Sequence, residues 1–213
     1  MNERLGVVGL LLLPAVAVWA EPPLLPAAVD LTGVAQAARS AVMMLIGAGT
    51  NGFEVARGTA FLVSRDGKLI TNRHVVRMGP IAFAKTRTNK RYNVLGLLAE
   101  DQEHDLVLLK IEGKDLPSLA LGSSERLEDR LPMAVVGNPR GLEGVVASGT
   151  VLSVRNFLGE RGWIEVRALI EPGSSGSPVL DPRGEVIGIV TAMLRDGPTR
   201  GAAIPVEVGL SYV

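Results

Sequence analysis

"EGKDLPSLALGSSERLEDR", residues 112–130, is a polar stretch near the middle of a 213-residue chain, and it separates two similar sets of short β-prone runs. Upstream these runs cover residues 41–46, 56–63, 68–71, 81–84, 92–98 and 106–111. Downstream they cover 133–137, 145–154, 163–166, 179–180, 186–192 and 202–205. The segments "SRDGK" and "DPRGE" sit between runs as turns, with Gly67 and Gly184 supplying positive φ. Two such sets around a polar connection predict an all-β protein of two six-stranded antiparallel barrels. "KTRTNKR" reads as a solvated strand or hairpin edge.

Outward from these sets, "DLTGVAQAARSAVMMLIGA" offers Asp30 as an N-cap, then Leu31, Val34 and Ala38 at helical spacing. A short helix feeding the first strand is expected. "EPPLLPAAVD", residues 21–30, has too many prolines for a helix and reads as an N-terminal arm. Residues 1–20 carry Arg4, an apolar run from Leu5 to Val18, and small residues at Val18 and Ala20. That pattern reads as a secretory signal cleaved after Ala20. The run falls short of the about 20 apolar residues that span a bilayer, although an uncleaved segment would act as an anchor. Either way the body of the protein is expected outside the cytoplasm. The organisation is therefore 1–20 signal, 21–30 arm, 31–112 helix and first barrel, 113–130 linker, and 131–213 second barrel.

Lys plus Arg and Asp plus Glu both total 22, so nothing in the charge suggests nucleic acid or an anionic membrane. No cysteine is present, which excludes disulfides, thiolate metal sites and cysteine catalysis. With two histidines, a histidine-rich metal site is not expected either, and neither metal nor cofactor is predicted.

The chemistry concentrates in "EPGSSGSPVL", residues 171–180, with serines at 174, 175 and 177. A nucleophilic serine needs a base, a group to orient the base, and donors aimed at the developing oxyanion. In one common arrangement those donors are the N–H of the serine and of the residue two before it. For Ser174 that residue is Pro172, which has no N–H. Pro178 biases Ser177 towards an extended strand start. For Ser175 the second donor is Gly173, which can adopt unusual dihedrals, and Gly176 leaves the far side open. The candidate bases are His74, in "LITNRHVV", and His104, in "EDQEHDLVLLKI". Asp105, entering an apolar run, could orient an imidazole or simply start a strand.

The segments "GTAFLVSRDGKLITNRHVV", "EHDLVLLKI", "VVGNPRGLEGVVASGTVLSV", "EPGSSGSPV", "GEVIGIVTA" and "GAAIP" resemble, in order and spacing, the HtrA/Deg-type serine proteases of the chymotrypsin-like fold. The resemblance covers residues 34–205. It implies an active site in the cleft between the barrels, with His74 as general base, Asp105 as its orienting carboxylate and Ser175 as nucleophile. His104 is then non-catalytic, and the N–H groups of Gly173 and Ser175 form the oxyanion hole. By the same resemblance Leu169, Ile170, Gly188, Ile189, Val190 and Thr191 line the pocket for the side chain before the cut. That apolar pocket implies cleavage after small or medium aliphatic residues rather than after Lys or Arg.

Three departures from the family pattern bear on function. Ser174 stands where the family usually has Asn and where digestive relatives have an Asp that pairs with a new N-terminus. No such zymogen activation is expected. Ser177 replaces a Gly, a change that relatives tolerate. The chain ends shortly after residue 205, so regulation by a PDZ domain is not expected. The resemblance further implies unfolded or misfolded polypeptides as substrates; the family's members are often homotrimers joined through N-terminal residues, and the "LLPAAV" arm could serve that role or equally be a disordered tether. A catalytically latent relative that binds unfolded chains is the alternative.

Overall fold

The computed structural model describes residues 30–48, 53–77, 81–125, 127–157, 160–194 and 197–210. The expected signal and nearly all of the arm lie outside these residues. Asp30 opens α1 (Leu31–Ala38) by accepting the N–H groups of Thr32 and Gly33 on its carboxylate, at 3.1 Å each. That bond pattern is the N-cap expected from the sequence.

The first barrel is built from β1 (Val42–Ala48), β2 (Glu54–Leu62), β3 (Lys68–Asn72), β4 (Ile81–Lys85), β5 (Arg91–Asp101) and β6 (Leu106–Ile111). It closes in the order β1-β2-β3-β6-β5-β4, every pairing antiparallel. A single helical turn, α2 (Arg73–Arg77), leaves β3. The second barrel contains β7 (Pro132–Gly137), β8 (Val145–Phe157), β9 (Glu160–Arg167), β10 (Pro178–Leu180), β11 (Val186–Met193) and β12 (Gly201–Pro205), closing as β10-β11-β12-β9-β8-β7. A last turn, α3 (Val206–Leu210), follows β12.

Alternation along the strands serves two cores at once, because side chains of a strand point to opposite faces. In β6, Val107 and Leu109 fill the first barrel, while Leu106 and Leu108 face the layer between the barrels. In β7, Met133 and Val135 fill the second barrel, and Ala134 and Val136 face that same layer. Phe61, Ile70, Leu180, Ile189 and Val206 complete it, with Ala35 and Ala38 of α1 packed beside them. Strands buried on both faces carry no polar alternation, which is why they read as continuous apolar runs.

The linker is less polar in its packing than in its composition. Leu116 is buried in the first barrel's core, Leu119 donates its N–H to the Leu62 carbonyl at 2.9 Å, and Val186 of β11 accepts the Gly122 N–H and donates its own to the Ala120 carbonyl, both at 2.9 Å. The Arg65–Asp115 pair nearby is solvent-exposed and is worth ~0–1 kcal/mol, whereas burying Leu116 contributes about 2 kcal/mol. Apolar contacts therefore hold the linker down.

Glu207, in the first turn of α3, fastens the middle of the linker. Its carboxylate accepts the Ser123 hydroxyl at 2.8 Å and also the hydroxyl and N–H of Ser124. Burial alone would raise its pKa, but these hydrogen bonds hold it below the usual 4.5. A carboxylate depressed in the folded state stabilises the fold above its unfolded pKa, and that contribution fades as pH falls below it. Glu207→Gln should therefore lower Tm at pH 7 by about 2–4 °C and flatten the acid decline between about pH 5 and pH 3. Thermal scans across that range check this.

Candidate active site

The residues singled out in the sequence come from both barrels and meet where these face each other. His74 is the second residue of α2. This turn sits directly on β2 because Gly58 has no side chain: a Cβ there would lie 2.3 Å from Val75 Cγ1. Asp105 closes the turn between β5 and β6 at φ +57°, and its backbone carbonyl accepts the Arg73 N–H at 2.9 Å and the Asn72 side-chain amide at 3.2 Å.

Asp105 grips His74 at two points. Oδ1 accepts the His74 backbone N–H at 2.8 Å, and Oδ2 lies 2.6 Å from Nδ1. A carboxylate can only accept, so Nδ1 carries the hydrogen and Nε2 of the neutral ring has a free lone pair. The Thr191 hydroxyl donates to the same Oδ2 at 3.1 Å. Thr191 reaches the third candidate too, since its carbonyl accepts the Ser175 hydroxyl at 3.3 Å. His74, Asp105, Thr191 and Ser175 thus form one connected cluster, with Ser175 turned onto Thr191. His104 is engaged elsewhere: its Nδ1 lies 2.7 Å from Asp101 Oδ2, and the other oxygen of Asp101 accepts the N–H groups of Glu103 and His104.

Of the three serines, Ser174 and Ser177 are buried, and only Ser175 is partly accessible. The Ser174 hydroxyl accepts the Glu171 N–H at 3.3 Å. In the segment 171–177 nearly every peptide group has a partner. The carbonyls of Glu171, Pro172, Ser174 and Ser175 accept the N–H groups of Ser174, Arg140, Ser177 and Thr59 at 2.8–3.0 Å. The Gly173 carbonyl accepts the Thr59 hydroxyl at 2.8 Å, and the Gly176 N–H reaches the Val190 carbonyl at 2.8 Å. Among the described residues, the N–H groups of Gly173 and Ser175 have no protein acceptor. The Pro172–Gly173 peptide is trans, so with its carbonyl held by Arg140 the Gly173 N–H is directed the opposite way.

Glycine is required at two points of this loop. Gly173 has φ +96° and Gly176 φ +84°, and a Cβ at Gly176 would lie 2.0 Å from the Thr59 carbonyl oxygen.

The expected pocket residues have different fates. Leu169 is half exposed, whereas Ile170 and Val190 belong to the second barrel's core and Ile189 to the layer between barrels. Gly188 pairs with Pro205 and Val179 inside the sheet, and Thr191 is the partner of Asp105 and Ser175.

Four participants were missed in the sequence: the clamping role of Thr191, together with Thr59, Asn138 and Arg140. Arg140 holds the loop through its backbone N–H and pairs with Glu171 at 2.7 Å. The available signals were a Thr entering the apolar run of "GTAFLV" and an Asn opening the turn "NPRG" directly after the apolar run "MAVVG". Among the described residues no cluster of His, Asp and Glu could hold a metal, and no helix is long and apolar enough to cross a membrane.

The family model for a trypsin-like peptidase domain matches residues 58–189. Among curated proteins, the "Probable periplasmic serine endoprotease DegP-like" of Hahella chejuensis is 35% identical over 162 residues, covering 73% of this chain and 34% of its own length. The chain spans about a third of the length of the curated relatives it matches. Among solved structures, the "HtrA-type protease AlgW with tripeptide" superposes with a TM-score of 0.77 at 30% identity, over 85% of this chain and 62% of that one. The serine endoprotease from Yersinia pestis shares the fold at 23% identity, with a TM-score of 0.76 over 85% of this chain and 64% of that one.

Proposed function

The chain belongs to the trypsin-like peptidase domain family, and on that premise we propose that it is an endopeptidase acting on unfolded polypeptides through an acyl-enzyme on Ser175. Ser175 Oγ turns from the Thr191 carbonyl to attack the scissile carbonyl carbon while its proton passes to Nε2 of His74. Asp105 holds the imidazole and stabilises its cation. The oxyanion receives the N–H groups of Gly173 and Ser175, and the His74 proton then goes to the leaving amine. Water, deprotonated by His74, releases the acid and restores the serine. The observation that carries this reading is the pattern of bonds in residues 171–177, where the two amides without a protein acceptor are the two an oxyanion needs.

Aliphatic selectivity is part of the proposal and is supported here by the half-exposed Leu169, since Ile170, Ile189 and Val190 are buried in the cores. Leu169 is available to substrate, and Ile170 packs against Gly201, where a Cβ would lie 2.7 Å from Ile170 Cγ1. Mass spectrometry of digested, unfolded casein should find cuts mainly after small or medium aliphatic residues, and mainly basic residues at the cut would refute this. Relatives named periplasmic support an extracytoplasmic setting.

One observation favours a second reading. The Ser175 hydroxyl rests on the Thr191 carbonyl rather than on His74, as it would in a latent protein that only binds unfolded chains. A fluorophosphonate probe separates the two. Labelling of wild type, mapped to the peptide containing Ser175, supports the peptidase, and an unlabelled protein that still binds casein supports the latent binder.

A further inference from the structure

The loop that carries Ser175 belongs to the second barrel, yet two of its carbonyls are held by the first. Thr59, fully buried in β2, bonds it twice: its backbone N–H donates to the Ser175 carbonyl at 3.0 Å and its hydroxyl donates to the Gly173 carbonyl at 2.8 Å. The hydroxyl cannot aim elsewhere. Its oxygen accepts the Asn138 backbone N–H at 2.9 Å and the Asn138 side-chain amide at 3.3 Å, which leaves its one hydrogen for Gly173. Asn138 is itself fixed, because its side chain donates to the Met43 carbonyl at 3.0 Å and accepts the Gly144 N–H at 3.0 Å. The Thr59 carbonyl accepts the Thr71 hydroxyl at 2.6 Å, so β2 is locked to β3 at the same residue.

These bonds define the planes of successive peptides. The Gly173–Ser174 peptide is held at both ends, its carbonyl by Thr59 and its N–H by the Glu171 carbonyl at 2.9 Å. Rotation of that plane would alter φ at Ser174 and ψ at Gly173, and with them the directions of the N–H groups on either side. We propose that Thr59 is a positioning residue, whose hydroxyl sets the Gly173–Ser174 peptide so that the amides of Gly173 and Ser175 converge on one point. This rests on the peptidase reading, but the hydroxyl does not touch substrate. Its effect passes through the loop.

Thr59→Val keeps the shape and removes the hydroxyl, leaving the Gly173 carbonyl and the Asn138 N–H without a partner. Thr59→Ala also removes the hydroxyl but leaves room for a water, and serves if the Val variant does not fold. Thr59→Ser retains the hydroxyl. On casein-derived peptides, Val or Ala should lower kcat about 10- to 100-fold with KM within about threefold of wild type, and Ser should restore most of kcat. Hydrogen–deuterium exchange, followed by mass spectrometry, reads the loop without requiring turnover. The peptide spanning 171–177 should exchange faster in the Val and Ala variants, while β3, β6 and β7 stay unchanged and Ser matches wild type.

The proposal is overturned if the variants without the hydroxyl keep wild-type kcat and wild-type loop exchange, or if Ser is as impaired as Val. A wild type inert towards both casein and fluorophosphonate would instead defeat the peptidase reading, and loop exchange would still decide the role of Thr59.

Discussion

Ser175→Ala is expected to lower turnover of unfolded casein by about a million-fold while leaving the fold intact. On the proposed acyl-enzyme route the kinetic loss is large: without Oγ, His74 would have no proton to take and the oxyanion would not form at this site. The structural loss is small because the hydroxyl makes one contact, 3.3 Å to the Thr191 carbonyl, from a partly accessible position. Deleting it should move stability by no more than about 0.5 kcal/mol. Casein assays and a thermal scan on the same preparation separate the two quantities. Wild-type cleavage by a folded Ser175→Ala protein would remove Ser175 from the chemistry.

Asp105→Asn is expected to cost about 10⁴-fold in kcat, second only to the serine. The side chain does two things for His74: it accepts the backbone N–H at 2.8 Å and holds Nδ1 at 2.6 Å. An amide can accept with one atom only. If its oxygen keeps the backbone N–H, its NH₂ faces Nδ1, and the ring must move its hydrogen to Nε2, where a base needs a lone pair. The bonds from Arg73 and Asn72 go to the Asp105 backbone and survive the substitution. The loss should therefore appear in kcat with the protein still folded. A variant within tenfold of wild-type kcat would show that the carboxylate does not set the tautomer.

The two-barrel plan was legible because the turns and the central stretch are strong punctuation, and the paired cores leave strands apolar throughout. Strand ends were less so. β5 runs over Arg91–Asp101 rather than 92–98, and bulges between Val94 and Gly96 and between Leu97 and Ala99 break its alternation. Leu95, Leu97 and Leu98 are all exposed as a result, a pattern no period-2 reading anticipates. His74 lies directly after β3 in α2, a turn of five residues too short to announce itself by periodicity. The short motifs around 74, 105 and 175 pointed to one cluster. The hydrogen-bond network behind them was not visible, since Thr59 and Asn138 lie 79 residues apart and act only once the barrels dock.

The shared apolar layer between the barrels also bears on how such an enzyme survives its own activity. A peptidase that cuts unfolded chains will cut any copy of itself that opens in part. Because Leu106, Ile189 and their neighbours belong to both halves, neither barrel can loosen without exposing the layer that the other needs. The two barrels are therefore expected to melt together, and on the proposed activity self-digestion would be confined to molecules that have lost the shared layer as a whole.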